Sequence, residues 1–133
     1  MKAYFTRAYV LSASHRLHSG ELSAAENRAA FGKCNNPFGH GHNYRIEVTV
    51  GGPVDPETGM VINMADLDRV VREKVLERFD HANLNLDPLF AVKVSTTENF
   101  CMAIFALLKP EMDGLETIRI EETENNFFEY SGE

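Results

Sequence analysis

Two stretches of the chain alternate apolar and polar residues with period two, the pattern of strands buried on one face. In residues 3–15, Phe5, Tyr9, Leu11 and Ala13 share a face, and His15 ends that same face. From His40 to Val50 the even positions are His40, His42, Tyr44, Ile46, Val48 and Val50, whereas Asn43, Arg45, Glu47 and Thr49 point the other way. Near the end, ETIRIEE and NFFEY read as a hairpin joined by Thr123 to Asn126, with Ile118, Ile120 and Glu122 on one face. Helical patterns fill the middle. Ser23, three residues before Glu26, predicts a capping box for a short helix over AAENRAAF that Gly32 ends. After the turn-rich GGPVDPETG at 51–59, a helix of about four turns is expected from Met64 to Phe79. Asn63 or Asp66 lies near its start, and Leu67, Val70, Val71 and Val75 form its apolar stripe. A second main helix opens with a capping box from Ser95 to Glu98 and runs through FCMAIFALL to Pro110. Apolar nearly all round, it is expected to be well buried. Strands at both ends and two main helices between them predict one α+β domain over residues 1–133, with an antiparallel sheet.

Composition narrows the function. A chain of 133 residues, 44% hydrophobic and 25% charged, can bury a core without staples and has no run long enough to span a membrane. The opening MKAYFTRAYVLSAS lacks the continuous apolar core of a signal peptide, so a cytoplasmic setting is expected, with Cys34 and Cys101 as free thiols. A net charge of −7 argues against general nucleic-acid binding, which needs a basic face. It leaves open a small phosphorylated molecule, whose pocket needs only a few local cations.

The chemistry concentrates in KCNNPFGHGHNY at 33–44. His40 and His42 project from one strand face about 7 Å apart along the backbone and can converge on one ion. Alone, such a pair reads more readily as two buried or turn histidines with hydrogen-bond partners. His15, on the apolar face of another strand, adds a third nitrogen, and three histidines with an open fourth position are the arrangement of catalytic zinc. A structural site wants a fourth protein ligand, for which Cys34 is a candidate. His18 reads as a spare, exposed loop residue. Cys34 follows Lys33 in a polar turn, where a neighbouring cation or metal favours the thiolate, and is read as reactive rather than as a small buried hydrophobe. Cys101, inside FCMAIF, belongs to the core. Asp80 and His81 end a helix, where a protonated His is favoured and an Asp is not; a solvated helix end accounts for them equally. Glu122 follows two core residues inward, and a buried carboxylate needs a partner, either a ligand with N–H donors or an ion pair. Arg16, Lys33 and Arg45 could face a polyphosphate, but a solvated basic side chain is the safer reading of each.

Taken together, SASHRL at 12–17, FGKCNNPFGHGHNY at 31–44, VDPETGMVINMADL at 54–67, RFDHANL at 78–84, STTEN at 95–99 and the closing EETENN, Tyr130 and GE resemble the 6-pyruvoyl-tetrahydropterin synthase family over nearly the whole chain. That resemblance implies zinc on His15, His40 and His42, a catalytic thiol at Cys34 and acid/base partners at Asp80 and His81. It implies Glu122 as the anchor of the pterin ring, with Thr96, Thr97 and Glu98 lining the pterin pocket. Glu124 stands where an Asp is frequent, which leaves Glu122 unaffected. The implied reaction takes 7,8-dihydroneopterin triphosphate to 6-pyruvoyl-tetrahydropterin, losing triphosphate with an internal redox rearrangement. The implied architecture is a tunnelling fold, a four-stranded antiparallel sheet with two main helices on one face. Sheets of three chains join into a barrel, two rings stack as a homohexamer, and Asp80 and His81 serve a neighbour's site. A related branch makes 6-carboxy-tetrahydropterin in the deazapurine (queuosine) pathway. The five residues between Cys34 and His40, with CNNPFG and STTEN, look more like the pyruvoyl enzyme. A non-catalytic zinc or pterin-binding module is the remaining alternative, and it leaves Cys34 and the Asp80–His81 pair without a purpose.

Overall fold

The computed structural model describes residues 1–133. Strands β1 (Lys2–His15), β2 (His40–Pro53), β3 (Ala82–Asn83), β4 (Leu115–Thr123) and β5 (Asn126–Tyr130) form one sheet in the order β3-β1-β2-β4-β5. β1 and β2 pair antiparallel over their full length, from Lys2 opposite Pro53 to His15 opposite His40. The alternation in both strands has the expected sense: Leu11, Ala13 and His15 are buried, as are Tyr44, Ile46, Val48 and Val50.

The sheet is mixed and five-stranded, not the expected four antiparallel strands, because β3 adds parallel to β1 at Ala13 and Ser14. Two residues carry no period to read. What seats them is backbone chemistry just upstream: the Asp80 carboxylate accepts the Ser12 N–H at 2.9 Å, and the His81 N–H donates to the Ser12 carbonyl at 2.5 Å.

The helices lie where their patterns put them, with three local differences. α1 (Ala24–Phe31) has the reciprocal Ser23–Glu26 capping box. α2 (Met64–Val71) is capped by Asn63, whose side chain accepts from the N–H groups of Ala65 and Asp66. Instead of running unbroken to Phe79, the helix passes through a π turn at Arg72–Leu76 before α3 (Glu77–Phe79). Leu67, Val71, Val75 and Phe79 are all fully buried. Their spacing of four overshoots a 3.6-residue turn, and the wider π turn takes up the drift. α4 (Thr97–Leu108) is capped by Thr96, which accepts from the Asn99 N–H at 3.2 Å; the expected cap, Ser95, is engaged elsewhere. α4 is also less buried than expected: Phe100, Cys101, Ile104 and Leu108 reach the core, while Met102 and Ala106 face outward. Its apolar back has nothing in this chain to rest on.

The core joins the inward faces of β1, β2 and β4 to α2 and α4. Cys101 lies within it, burial pushing its thiol up to about 12, so it is inert. The opposite face of the sheet mixes charge with exposed apolar residues such as Tyr4 and Val10: Arg119 there pairs with Glu47 at 3.0 Å and Glu121 at 3.1 Å and lies over the Phe127 ring. Beyond β3, most of the β1 edge has no partner, and neither does the outer edge of β5.

Candidate metal centre and active site

The register that places His15 opposite His40 brings three imidazoles to one end of the buried sheet face. Their ring centroids lie 4.7 Å (His15–His40), 4.8 Å (His40–His42) and 5.2 Å (His15–His42) apart, with rings steeply inclined to one another. The Nε2 atoms of His15 and His40 are 3.1 Å apart, and one ring nitrogen from each of the three falls within 4.8 Å of the others. His15 Nδ1 donates to the Ser95 carbonyl at 2.7 Å, which turns the lone pair of Nε2 toward its neighbours. Burial holds His15 below the ordinary imidazole range, against the pull of the Ser95 bond; burial lowers His42 likewise, against the attraction of Glu122. Both are therefore neutral, the form that ligates. His42 Nε2 is buried with no hydrogen-bond partner. Such an orphan costs about 1–3 kcal/mol, which a bound cation would offset. Three ring nitrogens facing one point fit a divalent metal. Cys34 is not a member of this group, so the fourth-ligand reading finds no support.

The turn at Cys34 and Asn35 is held by its carbonyls to the residues that follow β1. The Leu17 N–H donates to the Cys34 carbonyl at 2.8 Å, and Arg16 Nε donates to the Asn35 carbonyl at 3.0 Å. Gly39 has φ +74°, and a Cβ there would lie 3.0 Å from the His15 carbonyl oxygen, so the close approach needs glycine. Cys34 itself sits half-buried in a 3-10 turn, Gly32–Asn35. His18 is also half-buried, with Nδ1 3.1 Å from the Asn35 amide nitrogen, rather than the free loop residue expected.

Glu122 reaches the same end of the sheet from β4. One oxygen accepts the Thr97 hydroxyl and the other lies 3.7 Å from His42 Nε2. Thr96 caps α4, and Glu98 is exposed in its first turn. Asp80 and His81 lie across β1: His81 Nδ1 is 3.0 Å from the Asp80 carboxylate, and its side chain is 82% exposed. The Ser12 N–H bond, with His81 beside it, holds the Asp80 carboxyl below the usual range. Neither residue bonds to the histidine group or to Cys34 within the chain. With Ser12, Asn43 and His42, His81 borders an open cavity of about 350 Å³.

Two supporting residues escaped the sequence reading. Ser95 orients His15 through its carbonyl, a role with no side-chain signature. Asn85 ties Arg16 to the α4 approach, accepting the Arg16 N–H at 2.6 Å and donating to its carbonyl at 2.9 Å.

The family model described as 6-pyruvoyl tetrahydropterin synthase matches residues 4–133. A 6-pyruvoyl tetrahydrobiopterin synthase of Poecilia reticulata is 49% identical over 98% of this chain and 90% of its own length. The solved structure of Caenorhabditis elegans 6-pyruvoyl tetrahydropterin synthase superposes with a TM-score of 0.97 at 44% identity, covering 100% of this chain and 97% of that one. A putative 6-carboxy-5,6,7,8-tetrahydropterin synthase of Archaeoglobus fulgidus is 36% identical over 84% of this chain and 90% of its own length.

Proposed function

The chain belongs to the 6-pyruvoyl tetrahydropterin synthase family, and from that premise we propose that it converts 7,8-dihydroneopterin triphosphate into 6-pyruvoyl-tetrahydropterin, with loss of triphosphate, in tetrahydrobiopterin biosynthesis. The observation that most favours this over a non-catalytic module is the neighbourhood of His42. An orphaned ligand nitrogen there faces a carboxylate that one hydroxyl already steadies, so a metal and a substrate anchor share one small space.

Zinc on His15, His40 and His42 would supply Lewis acidity to side-chain oxygens of the substrate, acidifying the adjacent C–H bonds. Glu122 accepts N–H donors of the pterin edge, with Thr97 holding one of its oxygens and Thr96 and Glu98 lining the approach. The Cys34 thiolate removes a carbon-bound proton, and Asp80 with His81 returns protons as oxidation state passes from side chain to ring. Since the pair makes no bond to Cys34 in its own chain, it is assigned to the site of a neighbouring subunit. The free edges of β1 and β5 support association into a trimeric barrel and a homohexamer. No helix is long and apolar enough to cross a membrane, in keeping with a cytoplasmic enzyme.

Incubation with 7,8-dihydroneopterin triphosphate and mass spectrometry of the product tests the reading. The 6-pyruvoyl product is expected; a 6-carboxy product, or no turnover by metal-loaded protein, would overturn it.

A further inference from the structure

Of the 13 Lys and Arg residues, eight lie within ion-pair distance of a carboxylate. Three of the remaining five, Arg16, Arg28 and Lys33, line a single cavity of about 240 Å³ between α1 and the Gly32–Asn35 turn. No Asp or Glu is among its lining residues. In a chain of net charge −7 with 20 carboxylates, three unpaired cations around one carboxylate-free hollow make a local reversal of field.

The cavity is also built. Asn35 is buried, and its side-chain amide donates to the Leu17 carbonyl at 2.7 Å and reaches His18 Nδ1 at 3.1 Å. Accepting at Nδ1 leaves the Nε2–H of His18 as a further donor. Arg16 commits Nε to the Asn35 carbonyl, leaving its terminal nitrogens, the fork that grips phosphate, without a bond. A second depression shares Arg16, His18 and Pro37 with the first and reaches His15. Donors and cations thus meet beside the turn that carries Cys34, in a hollow whose neighbour reaches His15.

We propose that this cavity is a phosphate-chain subsite, in which Arg16, Arg28 and Lys33 hold the triphosphate of the substrate while its pterin end lies toward Glu122. The assignment rests on the reading of the substrate as a pterin triphosphate. Arg28 projects from α1, so it can be replaced without touching the histidine group, and Lys33 is equally exposed.

The test titrates inorganic triphosphate calorimetrically into metal-loaded wild type, Arg28→Gln and Lys33→Gln, with neopterin, which lacks phosphate, titrated in parallel. Each substitution is expected to weaken triphosphate binding about tenfold at low salt, to leave neopterin affinity unchanged, and to be rescued by Arg28→Lys at the first position. All the proteins keep the same three histidines, so chelation by bound metal contributes equally and cancels from the comparison. Equal triphosphate affinity in wild type and both variants, or no binding by wild type, would overturn the subsite. Triphosphate binding that depends on Arg28 and Lys33 in a protein unable to turn over dihydroneopterin triphosphate would support the subsite and sink the substrate reading. Unchanged melting temperatures separate lost binding from lost folding.

Discussion

His42 is the candidate ligand whose nitrogen has no other partner, so its loss is expected to show most directly in metal content. Purified wild type should carry about one zinc per chain, and His42→Ala close to none by elemental analysis, with the fold retained. Cys34→Ala is expected to keep its metal and lose roughly 100-fold or more in turnover; loss of both metal and turnover would return the thiol to the ligand set. Gly39→Ala forces a Cβ against the His15 carbonyl at a positive φ and is expected to cost about 1–3 kcal/mol in urea unfolding. At this scale the sequence was most legible where a residue broke a pattern. His15, His40 and His42 stood on apolar faces, and Glu122 followed Ile118 and Ile120 inward. It was least legible where function runs through the backbone: the Ser95 carbonyl that orients His15 belongs to a residue whose side chain advertised a helix cap.

Elements show the same division between pattern and contact. The long strands and α1 were readable because periodicity and capping are local properties. The π turn and β3 were not, since one depends on how Val75 and Phe79 meet the core and the other on hydrogen bonds to Ser12. A shorter tie spans β3: Arg78 donates to both oxygens of Asp87 at 2.9 and 2.8 Å, and Asp87 also accepts the Leu89 N–H at 3.0 Å. The Arg78 hydrogen bonds hold the folded Asp87 carboxyl below its ordinary range. The unfolded chain therefore takes up that proton first as pH falls. The stabilisation is complete above the ordinary Asp value near 3.9 and disappears as pH drops through the lower folded value. Asp87→Asn is expected to cost about 1–2 kcal/mol at pH 7 and almost nothing near pH 2, read from urea midpoints at both pH values.

For the whole molecule, the proposed assembly predicts a native mass near six times 15.0 kDa. It also predicts complementation: Cys34→Ala and His81→Ala chains, each inactive alone, should regain partial activity when unfolded together and reassembled. Differently tagged chains that mix yet stay inactive would place both halves in one subunit. The sequence could not show this level from its own patterns, because a site divided between chains has no spacing to read; only the resemblance pointed to it. His81 connects the assembly to its own stability. It is the one non-glycine residue at positive φ, +62°, a conformation that costs a side chain of its kind about 1 kcal/mol. In a helix or strand interior, glycine in place of alanine lowers stability. At position 81 the order should reverse, His81→Gly melting above His81→Ala and both failing to turn over. Selection for heat tolerance alone would then drift this position toward glycine, and the proposed acid/base role is what would keep an imidazole there.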